Sequence, residues 1–419
     1  MRSHFFTSIW LYGAAALLLL GLALRQPALA ILALLTLTTA GGSWLWSRVS
    51  LAGVAYTRSL SATRVFAGET IELTASVVNR TWLPLPWLAV EDQISDRVKV
   101  RERETLPSAR PGMTLLRIVT AVRWFERVTW TFHLDCPQRG AYTLGPITLR
   151  SGDLFGFFSR EVRLDDQCRF IVYPRVVPLT DLGLPALHPF GERRVPHHLL
   201  TDPARTIGVR DYHPEDSFRF IHWKATARMQ EVQVKVFEPM VAVHLGVFLC
   251  LDTFERYWEG VDYQRAESAI VAAASIAAYA LDQRYLVGMY ANGVLAGSDQ
   301  TLRIPAGRGP AQLPAILEGL AKLTPLAATN FTRLLRQEAG RFPWGSTVVV
   351  VAALMTPALT TELAALLVAG HRVVLVCVGP LEVPPLPGLV VHTLPENLLG
   401  PSPPDHRYAL TIDLGMPAP

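Results

Sequence analysis

The sequence predicts a multidomain protein: an N-terminal transmembrane helical hairpin, a β-sandwich, and a doubly wound α/β domain. Two apolar runs of membrane-spanning length, residues 5–24 and 28–46, predict the hairpin. Apolar and polar residues alternate within 55–176, which is typical of half-buried strands. Apolar strands alternate with helices over 240–380, which is typical of a mostly parallel sheet. The predicted domains are the hairpin (1–50), the sandwich (55–176), a joining segment (177–239), the α/β domain (240–380) and a proline-rich C-terminal tail (381–419).

The composition of this 419-residue chain indicates that part of it lies in lipid. Charged residues make up 18% of the chain, against about 25% in typical soluble domains. Apolar residues make up 50%. The net charge is only +4 and the basic residues are interspersed with acids, so no nucleic-acid partner is expected.

The two N-terminal apolar runs favour a hairpin of two membrane helices. Each run has about the 20 residues that a helix needs to cross a bilayer, and only Arg25-Gln26-Pro27 separates them. A cleaved signal peptide is the alternative, but its apolar region is shorter, about 7–15 residues, and no second apolar run is expected directly after it.

The basic residues around the hairpin predict its orientation. Arg2 precedes the first run, and Arg48, Arg58 and Arg64 follow the second, whereas only Arg25 lies between the runs. Because cytoplasmic flanks carry the excess of Lys and Arg, both ends of the hairpin are expected in the cytoplasm. The bulk of the chain is then cytoplasmic.

The β-sandwich prediction depends on strands with a period of two residues. Residues 70–78 and 127–134 alternate apolar and polar side chains, and turn signals such as Arg139-Gly140 separate such segments. No cluster of residues in this region indicates catalysis. The chain's cysteines are far apart in sequence and are expected to be buried free thiols; they are Cys136, Cys168, Cys250 and Cys377.

The α/β prediction depends on a change of rhythm after residue 240. Strands are predicted at 241–251, 285–291, 346–354 and 371–379, and helices at 263–283, 310–323, 331–339 and 360–369. Residues 306–310 are interpreted as a loop that places Pro310 in the first turn of the next helix. In the tail, residues 389–394 are predicted to form a short strand.

The end of the first α/β strand is a candidate ligand site. Ligands of open α/β sheets bind beyond the carboxyl ends of the strands, and Asp252 and Thr253 follow the strand 241–251. These oxygen-bearing side chains are weak candidates for a divalent cation. The alternative is that Asp252 caps the following segment or pairs with a basic residue.

Sequence motifs for catalysis are absent from the chain. GxxxxGK(S/T), GxSxG and HExxH do not occur, which removes the minimum parts of a phosphate-binding loop, a hydrolase elbow and a zinc protease. No nucleophile with an adjacent base is evident. The sequence therefore predicts a protein that is not an enzyme, with no catalytic residues and no required cofactor.

The segment 205–238 has an unusual density of charged and aromatic residues. Its pattern is Arg210-Asp211-Tyr212, Glu215-Asp216, Arg219, Ile221-His222-Trp223-Lys224, Ala227-Arg228 and Glu238. This pattern resembles the signature of the family called domain of unknown function 58. The candidate interaction residues within it are Arg210, Tyr212, Asp216, Arg219, Trp223, Lys224, Arg228 and Glu238.

The family resemblance implies two membrane helices, a β-sandwich, a domain similar to von Willebrand factor type A, and a MoxR-type AAA+ ATPase as partner. The chain departs from the family pattern at two places. Glu215 stands where the family has glycine, and residues 252–256 lack the serines of a metal-dependent adhesion site. The second departure counts against metal binding.

Two interpretations of the signature follow from its residue types. In the first, Lys224 and Arg228 lie at i, i+4 on one helix and pair with Asp211 or Asp216. Trp223 serves as an anchor, and the segment clamps the two domains together. In the second, the segment is a docking surface for a partner protein. The sequence thus predicts a membrane-anchored, non-enzymatic interaction scaffold; the alternative is a cation-dependent ligand-binding or adhesion module that uses the end of the first α/β strand.

Overall fold

The computed structural model describes residues 13, 15–17, 19–20, 23–185, 189–190, 201–214, 216–239, 243–256 and 259–395. The chain divides into two compact units, Met1–Arg175 and Val176–Pro419. Each unit has its own apolar core and is considered by itself. The sequence predictions for most of residues 5–24, and for the tail from residue 396 onward, lie outside the described residues.

The second apolar run forms one long helix, α1 (Pro27–Ser50). Its length and its mean hydropathy of 1.7 are sufficient to cross a membrane, and only 11% of its apolar window is buried. So little burial distinguishes it from the core helix of a soluble protein, although length and hydropathy alone do not separate it from an N-terminal signal sequence. Pro27 occupies the first turn, where its missing N–H has no intrahelical partner to lose.

The first unit continues as a series of short strands. They are β1 (Val54–Leu60), β2 (Arg64–Phe66), β3 (Thr70–Asn79), β4 (Leu85–Ser95), β5 (Lys99–Val100), β6 (Leu106–Pro107), β7 (Met113–Val122), β8 (Arg127–Asp135), β9 (Gly140–Leu144), β10 (Ile147–Gly152), β11 (Ser159–Leu164) and β12 (Cys168–Tyr173). The predictions of strands at 70–78 and 127–134 are confirmed by β3 and β8. Both strands alternate buried and more exposed residues, as a half-buried strand requires.

The strands of the first unit form three sheets with the orders β1-β3-β8-β5, β11-β10-β4-β7-β6 and β2-β12-β9. One apolar core joins residues from all of them, including Leu73 of β3, Val90 of β4 and Phe170 of β12. Because the sheets share a single core, this unit is a β-sandwich. Leu51, directly after α1, belongs to the same core and ties the helix end to the sandwich.

Arg58 of β1 lies inside the sandwich, where it pairs with Asp92 of β4. Both side chains are 1% exposed, and Arg58 Nη1 donates to the two carboxylate oxygens at 2.7 Å. Arg58 Nη2 also donates to the carbonyl oxygens of Leu144 and Asp166. Burial raises the pKa of Asp92 although Arg58 acts in the opposite direction. Arg58 is therefore an internal cation and not a free surface charge.

The second unit contains the remaining strands and helices. The strands are β13 (Thr201–Asp211), β14 (Gln233–Pro239), β15 (His244–Leu249), β16 (Leu286–Leu295), β17 (Thr301–Gly307), β18 (Leu323–Ala327), β19 (Thr347–Ala352), β20 (Arg372–Val378) and β21 (Val390–Leu394). The helices are α2 (Trp223–Met229), α3 (Tyr263–Asp282), α4 (Gln312–Lys322), α5 (Phe331–Ala339) and α6 (Pro357–Val368). The predicted strand at 389–394 is confirmed by β21.

The main sheet of the second unit has the order β17-β16-β15-β19-β20-β21, with β18 also paired to β16. The central strands are parallel to one another; they are β16, β15, β19, β20 and β21. Strands β17 and β18 pair antiparallel with β16. Helices α5 and α6 form one apolar cluster with Phe248, Val350 and Leu375. Intervening strand residues point to the opposite face, and the largely buried α3 contacts these strands outside that cluster. Helices thus cover both faces of the sheet.

Several boundaries in this unit differ from the sequence prediction. The prediction of Pro310 in a helical first turn is wrong, because α4 begins at Gln312 and residues 306–307 end strand β17. Strand β17 was not predicted, and it contains Pro305. An edge strand tolerates proline because only one of its two sides forms hydrogen bonds with a neighbouring strand. Leu323 begins β18 instead of ending a helix, and α6 starts at Pro357, where the Thr356 hydroxyl accepts the N–H of Leu359.

The cysteine prediction agrees with the structure. Cys136, Cys250 and Cys377 are free and buried, and Cys168 is free and half-buried. Burial raises the pKa of the Cys136 thiol to about 12 and that of Cys377 to about 11. These thiols are protonated at neutral pH and act as small apolar core residues.

Candidate functional site

The signature segment is built on the antiparallel pair of β13 and β14, with residues 212–232 between them. A 3₁₀ turn, Phe218–Phe220, leads into helix α2. His222 caps α2, because its Nδ1 accepts the N–H of Ala225 at 3.1 Å. Gln230 ends the helix in the left-handed conformation, with φ of 58°.

Gln233 holds this segment in place at the base of the strand pair. Its Nε2 donates to Asp211 Oδ1 at 2.6 Å, and its backbone N–H donates to the Thr226 hydroxyl at 3.0 Å. Its carbonyl accepts the N–H of His222 at 2.7 Å. Gln233 is 3% exposed, so these bonds are shielded from water. Sequence reasoning passed over it as one of the polar residues of an alternating strand.

Arg210 and Asp216 form the ion pair of the signature. Arg210 Nη1 and Nη2 donate to the two Asp216 oxygens at 2.7 and 2.6 Å, which is the bidentate geometry that a planar guanidinium favours. Asp216 also accepts the N–H of His213 at 2.9 Å. The Arg210 hydrogen bond lowers the pKa of Asp216 below its ordinary value. This pair holds the turn that follows β13; Glu215, which departs from the family pattern, lies outside the described residues.

The prediction that Lys224 and Arg228 pair with Asp211 or Asp216 is wrong. Arg210 occupies both oxygens of Asp216, and Gln233 donates to Asp211. Within the described ranges, Lys224 and Arg228 form no ion pair. The two cations remain on one side of α2, directed to solvent.

The aromatic residues of the signature lie at the surface. The side chain of Trp223 is 70% exposed, and its role as an anchor that clamps the two domains together stays a prediction. Phe218 is 73% exposed and stacks on Tyr212 with 5.7 Å between ring centroids. Arg219 lies over the Phe220 ring at 4.6 Å. Glu238 is in β14, but its side chain is outside the description.

Three exposed residues of α2 define a surface that we call the signature patch: Trp223, Lys224 and Arg228. At 3.6 residues per turn, they fall within about 140° of arc, so they face the same side of the helix. The patch combines one exposed aromatic ring with two cations. Aromatic residues and arginine are enriched where proteins bind other proteins.

A second candidate site lies where the strand order of the main sheet reverses. Strand β15 has β16 on one side and β19 on the other, and residue 252 follows the carboxyl end of β15. Asp252 Oδ2 accepts from Asn292 Nδ2 at 3.0 Å and from the Cys250 thiol at 3.4 Å. Asn292 of β16 is fully buried and its Oδ1 accepts the N–H of Leu251. Asn292 is a residue that sequence inspection missed.

The side chains around Asp252 do not fit a hard divalent cation. Such an ion needs six to eight oxygen ligands, whereas an amide N–H and a thiol point at Asp252. The Thr253 hydroxyl is buried and accepts the N–H of Asp262, which caps α3. Across the described part of the chain, no group of three or more His, Cys, Asp or Glu is arranged to hold a metal.

Asp252→Asn is expected to change how stability depends on pH. Burial raises the pKa of Asp252, so the ionised form is disfavoured in the folded state, and the wild type gains stability relative to the variant as pH falls through this raised pKa. The melting temperature of the variant relative to the wild type should therefore be higher at neutral pH than at acidic pH. Melting curves in EDTA test this, with the exposed Asp299→Asn as a matched control. An equal difference at both pH values would contradict it.

Together these features define a multidomain protein with one apolar N-terminal helix, many β-strands in several sheets, and an exposed signature segment. Residues 208–396 match the family described as "Protein of unknown function DUF58", in agreement with the sequence resemblance. A distant relative is the "Uncharacterized protein YeaD" of Bacillus subtilis (strain 168), with 23% identity over 293 residues. The alignment covers 68% of this chain and 66% of that relative's length, slightly less than two thirds.

Solved structures resemble only parts of the chain. A cohesin module from a Clostridium perfringens glycoside hydrolase covers 28% of this chain and 96% of its own, with a TM-score of 0.21 and 10% identity. The CARDB domain of the PF1109 protein from Pyrococcus furiosus covers 28% of this chain and 84% of its own, with a TM-score of 0.19 and 16% identity. Likenesses at these TM-scores carry no argument about function.

Proposed function

We propose that this protein is a non-enzymatic, membrane-anchored scaffold that docks a partner protein on the signature patch. The observation that carries the proposal is the exposure of Trp223, at 70%, beside Lys224 and Arg228. The hydration of an exposed tryptophan ring is unfavourable, and burying the ring against a partner protein removes that cost. The two neighbouring cations have no ion-pair partner in the part of the chain that the structure describes. Such residues are the ones that contribute most to protein–protein affinity.

Membrane anchoring in this proposal uses helix α1 together with the predicted first span. The length and apolar surface of α1 support the anchor, and the second span is the sequence prediction for residues 5–24. The excess of arginines outside the hairpin supports cytoplasmic placement of both units. The signature patch would then be presented to cytoplasmic proteins.

The partner we propose is a MoxR-type AAA+ ATPase, with a role in assembling or activating protein complexes. The support is the resemblance to the family of unknown function, together with the charge of the patch. Lys224 and Arg228 require acidic residues on the partner, and the Trp223 ring requires an apolar surface there. In this proposal the α/β unit acts as a domain similar to von Willebrand factor type A, and its strand order with an antiparallel β17 supports that likeness.

The absence of catalysis is part of the proposal. The Cys250 thiol donates to the Asp252 carboxylate, and burial raises the pKa of this thiol well above the ordinary value. A reactive cysteine needs a lowered pKa and access to solvent. Cys250 has neither, so its chemistry supports a structural role.

The alternative function is a cation-dependent ligand-binding or adhesion module. It is favoured by one observation, the position of Asp252 where the strand order reverses. The hydrogen-bond donors around Asp252 count against it. A divalent cation that raises the melting temperature of the wild type but not of Asp252→Ala would support this alternative over the scaffold.

Trp223→Ala is expected to weaken binding of the ATPase by about 30-fold, or about 2 kcal/mol, as for a central interface tryptophan. The measurement is an equilibrium titration of the full chain in nanodiscs with a purified MoxR-type ATPase from the same organism, held in its ATP-bound state. Trp344→Ala is the matched control, because Trp344 is 72% exposed in the same unit and outside the patch.

Two outcomes would contradict the proposal in different ways. If Trp223→Ala and Trp344→Ala bind equally well, the signature patch is not the docking surface. If the wild type does not bind the ATPase, the partner is wrong. Charge reversal by Lys224→Glu or Arg228→Glu should also weaken binding, and rising salt should reduce that effect.

A further inference from the structure

The strand register shows which end of the β-sandwich lies next to the C-terminal end of helix α1. Strand β1 begins at Val54, directly after the helix, and Val54 pairs with Asn79 at the end of β3. The carbonyl of Gly53 accepts the N–H of Arg80 at 2.9 Å. The loop at residues 80–84 therefore lies next to the C-terminal end of α1.

A second loop, residues 123–126, lies at this same end. Strand β7 finishes opposite the start of β4, with Val122 paired to Leu85, and β8 starts opposite the end of β3. Asn79 is fully buried, and its Nδ2 donates to the carbonyls of Leu83 and Arg123 at 2.8 and 3.0 Å. This amide joins the first loop to the second.

The third loop, residues 153–158, connects β10 to β11. Ser151 of β10 pairs with Leu88 near the start of β4, which places the loop at the end already described. The guanidinium of Arg160, just after the loop, donates to the backbone carbonyl of Arg48 in the last turn of α1. The three loops thus surround the point where α1 meets the sandwich.

All three loops expose large apolar side chains. Their exposed fractions range from 55% to 82%. We call this set the apolar rim: Trp82, Trp124, Phe125, Leu154, Phe155 and Phe157. Trp82 and Phe125 meet edge to face at 5.0 Å, and Phe155 stacks on Phe157 at 5.8 Å. The first contact joins the loop at residues 80–84 to the loop at residues 123–126, the second lies within the third loop, and all four rings remain largely exposed to water.

The loops are held in shape by buried or capped hydrogen bonds. Asp153 is 1% exposed, and its carboxylate accepts the N–H groups of Phe155, Phe157 and Phe158. The Glu126 carboxylate accepts the N–H of Arg123 at 2.6 Å. These side-chain to backbone hydrogen bonds fix the backbone of the loops. The exposed apolar side chains are therefore held in a defined arrangement.

The charges around the rim are mainly positive. Exposed arginines of this end of the sandwich are Arg48, Arg80, Arg123, Arg127 and Arg160. The carboxylates of Asp153 and Glu126 are engaged with backbone N–H groups, and Glu161 is an exposed acid. A surface with exposed aromatic rings and guanidinium groups matches the headgroup region of a bilayer, where rings enter the interface and cations meet phosphates.

We propose that the apolar rim rests in the headgroup region of the bilayer that α1 enters, so that the β-sandwich lies against the membrane. This inference depends on the membrane anchoring in the proposed function. Continuity with α1 selects lipid as the occupant: Arg48 belongs to the spanning helix and is hydrogen-bonded to the strand that leaves the rim. A helix that leaves the bilayer at this point brings the rim to the interface.

The test uses full-length protein in vesicles that contain phosphatidylcholine and phosphatidylglycerol, with an environment-sensitive fluorophore on a single cysteine. The background is Cys168→Ser, because the other three cysteines are buried. Labels go on Phe155→Cys in the rim and on Leu35→Cys in α1. A third goes on Glu104→Cys, which follows β5 at the opposite end of β8. Leu154→Cys is a second rim position in case Phe155→Cys disturbs the ring stack.

Nitroxide lipids should quench the labels at positions 155 and 35 at least several-fold more than the label at 104. A rim label quenched no more than the one at 104 would overturn the proposal, while quenching at 35 would still support the anchor. No quenching at 35 would overturn the anchor and the rim proposal together. A rim label shielded from both lipid nitroxides and aqueous iodide would mean that protein covers the rim, which also overturns it.

Discussion

Arg58→Leu is expected to lower the free energy of unfolding of the β-sandwich by about 3–5 kcal/mol, the usual cost of breaking a buried ion pair from one side. The substitution leaves Asp92 buried, at 1% exposure, without its guanidinium partner. The carbonyls of Leu144 and Asp166 lose a donor as well. Urea unfolding followed in the full chain measures the change in the sandwich transition.

Two controls separate burial from charge loss in this prediction. Arg101→Leu removes another arginine–aspartate pair of the sandwich, with Asp135 at 2.9 Å, but Arg101 is 60% exposed. Its cost should stay below about 1 kcal/mol. The double substitution of Arg58 and Asp92 by leucine should recover much of the lost stability, since no charge stays buried. If Arg58→Leu costs no more than Arg101→Leu, the ion pair is not the internal link inferred here.

The pH dependence of Arg58→Leu follows from the same pair. Burial already raises the pKa of Asp92 in the wild type, and the loss of Arg58, which lowers it, raises it further. The folded variant then binds a proton more readily than the unfolded chain. Its deficit should shrink as pH falls through the raised pKa of Asp92, and it should be largest near neutral pH.

Asn292→Ala is expected to lower the free energy of unfolding of the α/β unit by about 2–4 kcal/mol, because a buried amide loses all three of its hydrogen bonds and leaves the buried N–H of Leu251 without a partner. The amide accepts from the Leu251 N–H and donates to Asp252 and to the Thr329 carbonyl. It therefore ties the ends of β15 and β16 to the loop before α5. Urea unfolding gives the magnitude, and hydrogen exchange at the Leu251 amide locates it.

Asn330→Ala is the matched control for Asn292. Asn330 is an exposed asparagine that caps α5 by accepting the N–H of Arg333 at 3.0 Å. Loss of such a cap costs about 1 kcal/mol. An Asn292→Ala variant that loses no more than Asn330→Ala, with no faster exchange at Leu251, would contradict the central role of the buried amide.

Much of the fold follows from residue spacing. The two-residue period of 70–79 predicts β3, because only one face of that strand is buried. The continuous apolar runs predict β15, β19 and β20, because both faces of those strands are covered. The alanine-rich stretch behind Asp262 marks α3 equally well. Edge strands β17 and β18 escaped this reasoning, since proline and polar residues are tolerated there.

The candidate site was predicted less completely than the fold. The signature pattern located the segment and named its charged residues, but several partners were possible for each. Which arginine meets Asp216 depends on the register of β13 and β14 and on the turn between them. Whether Trp223 anchors or protrudes depends on what is packed beside it, and its 70% exposure is decided by the fold around α2.

The sequence by itself determined the apolar helix near the N-terminus, the change from alternating to continuous strands, and the signature segment, because these features depend on residues close together in the chain. The tertiary structure alone decided the pairings across long separations. Arg58 meets Asp92, and Asn292 meets Leu251 and Asp252, only when strands distant in sequence align in register. The apolar rim is of the same kind, since three loops converge at the end of α1 only after the sandwich has closed.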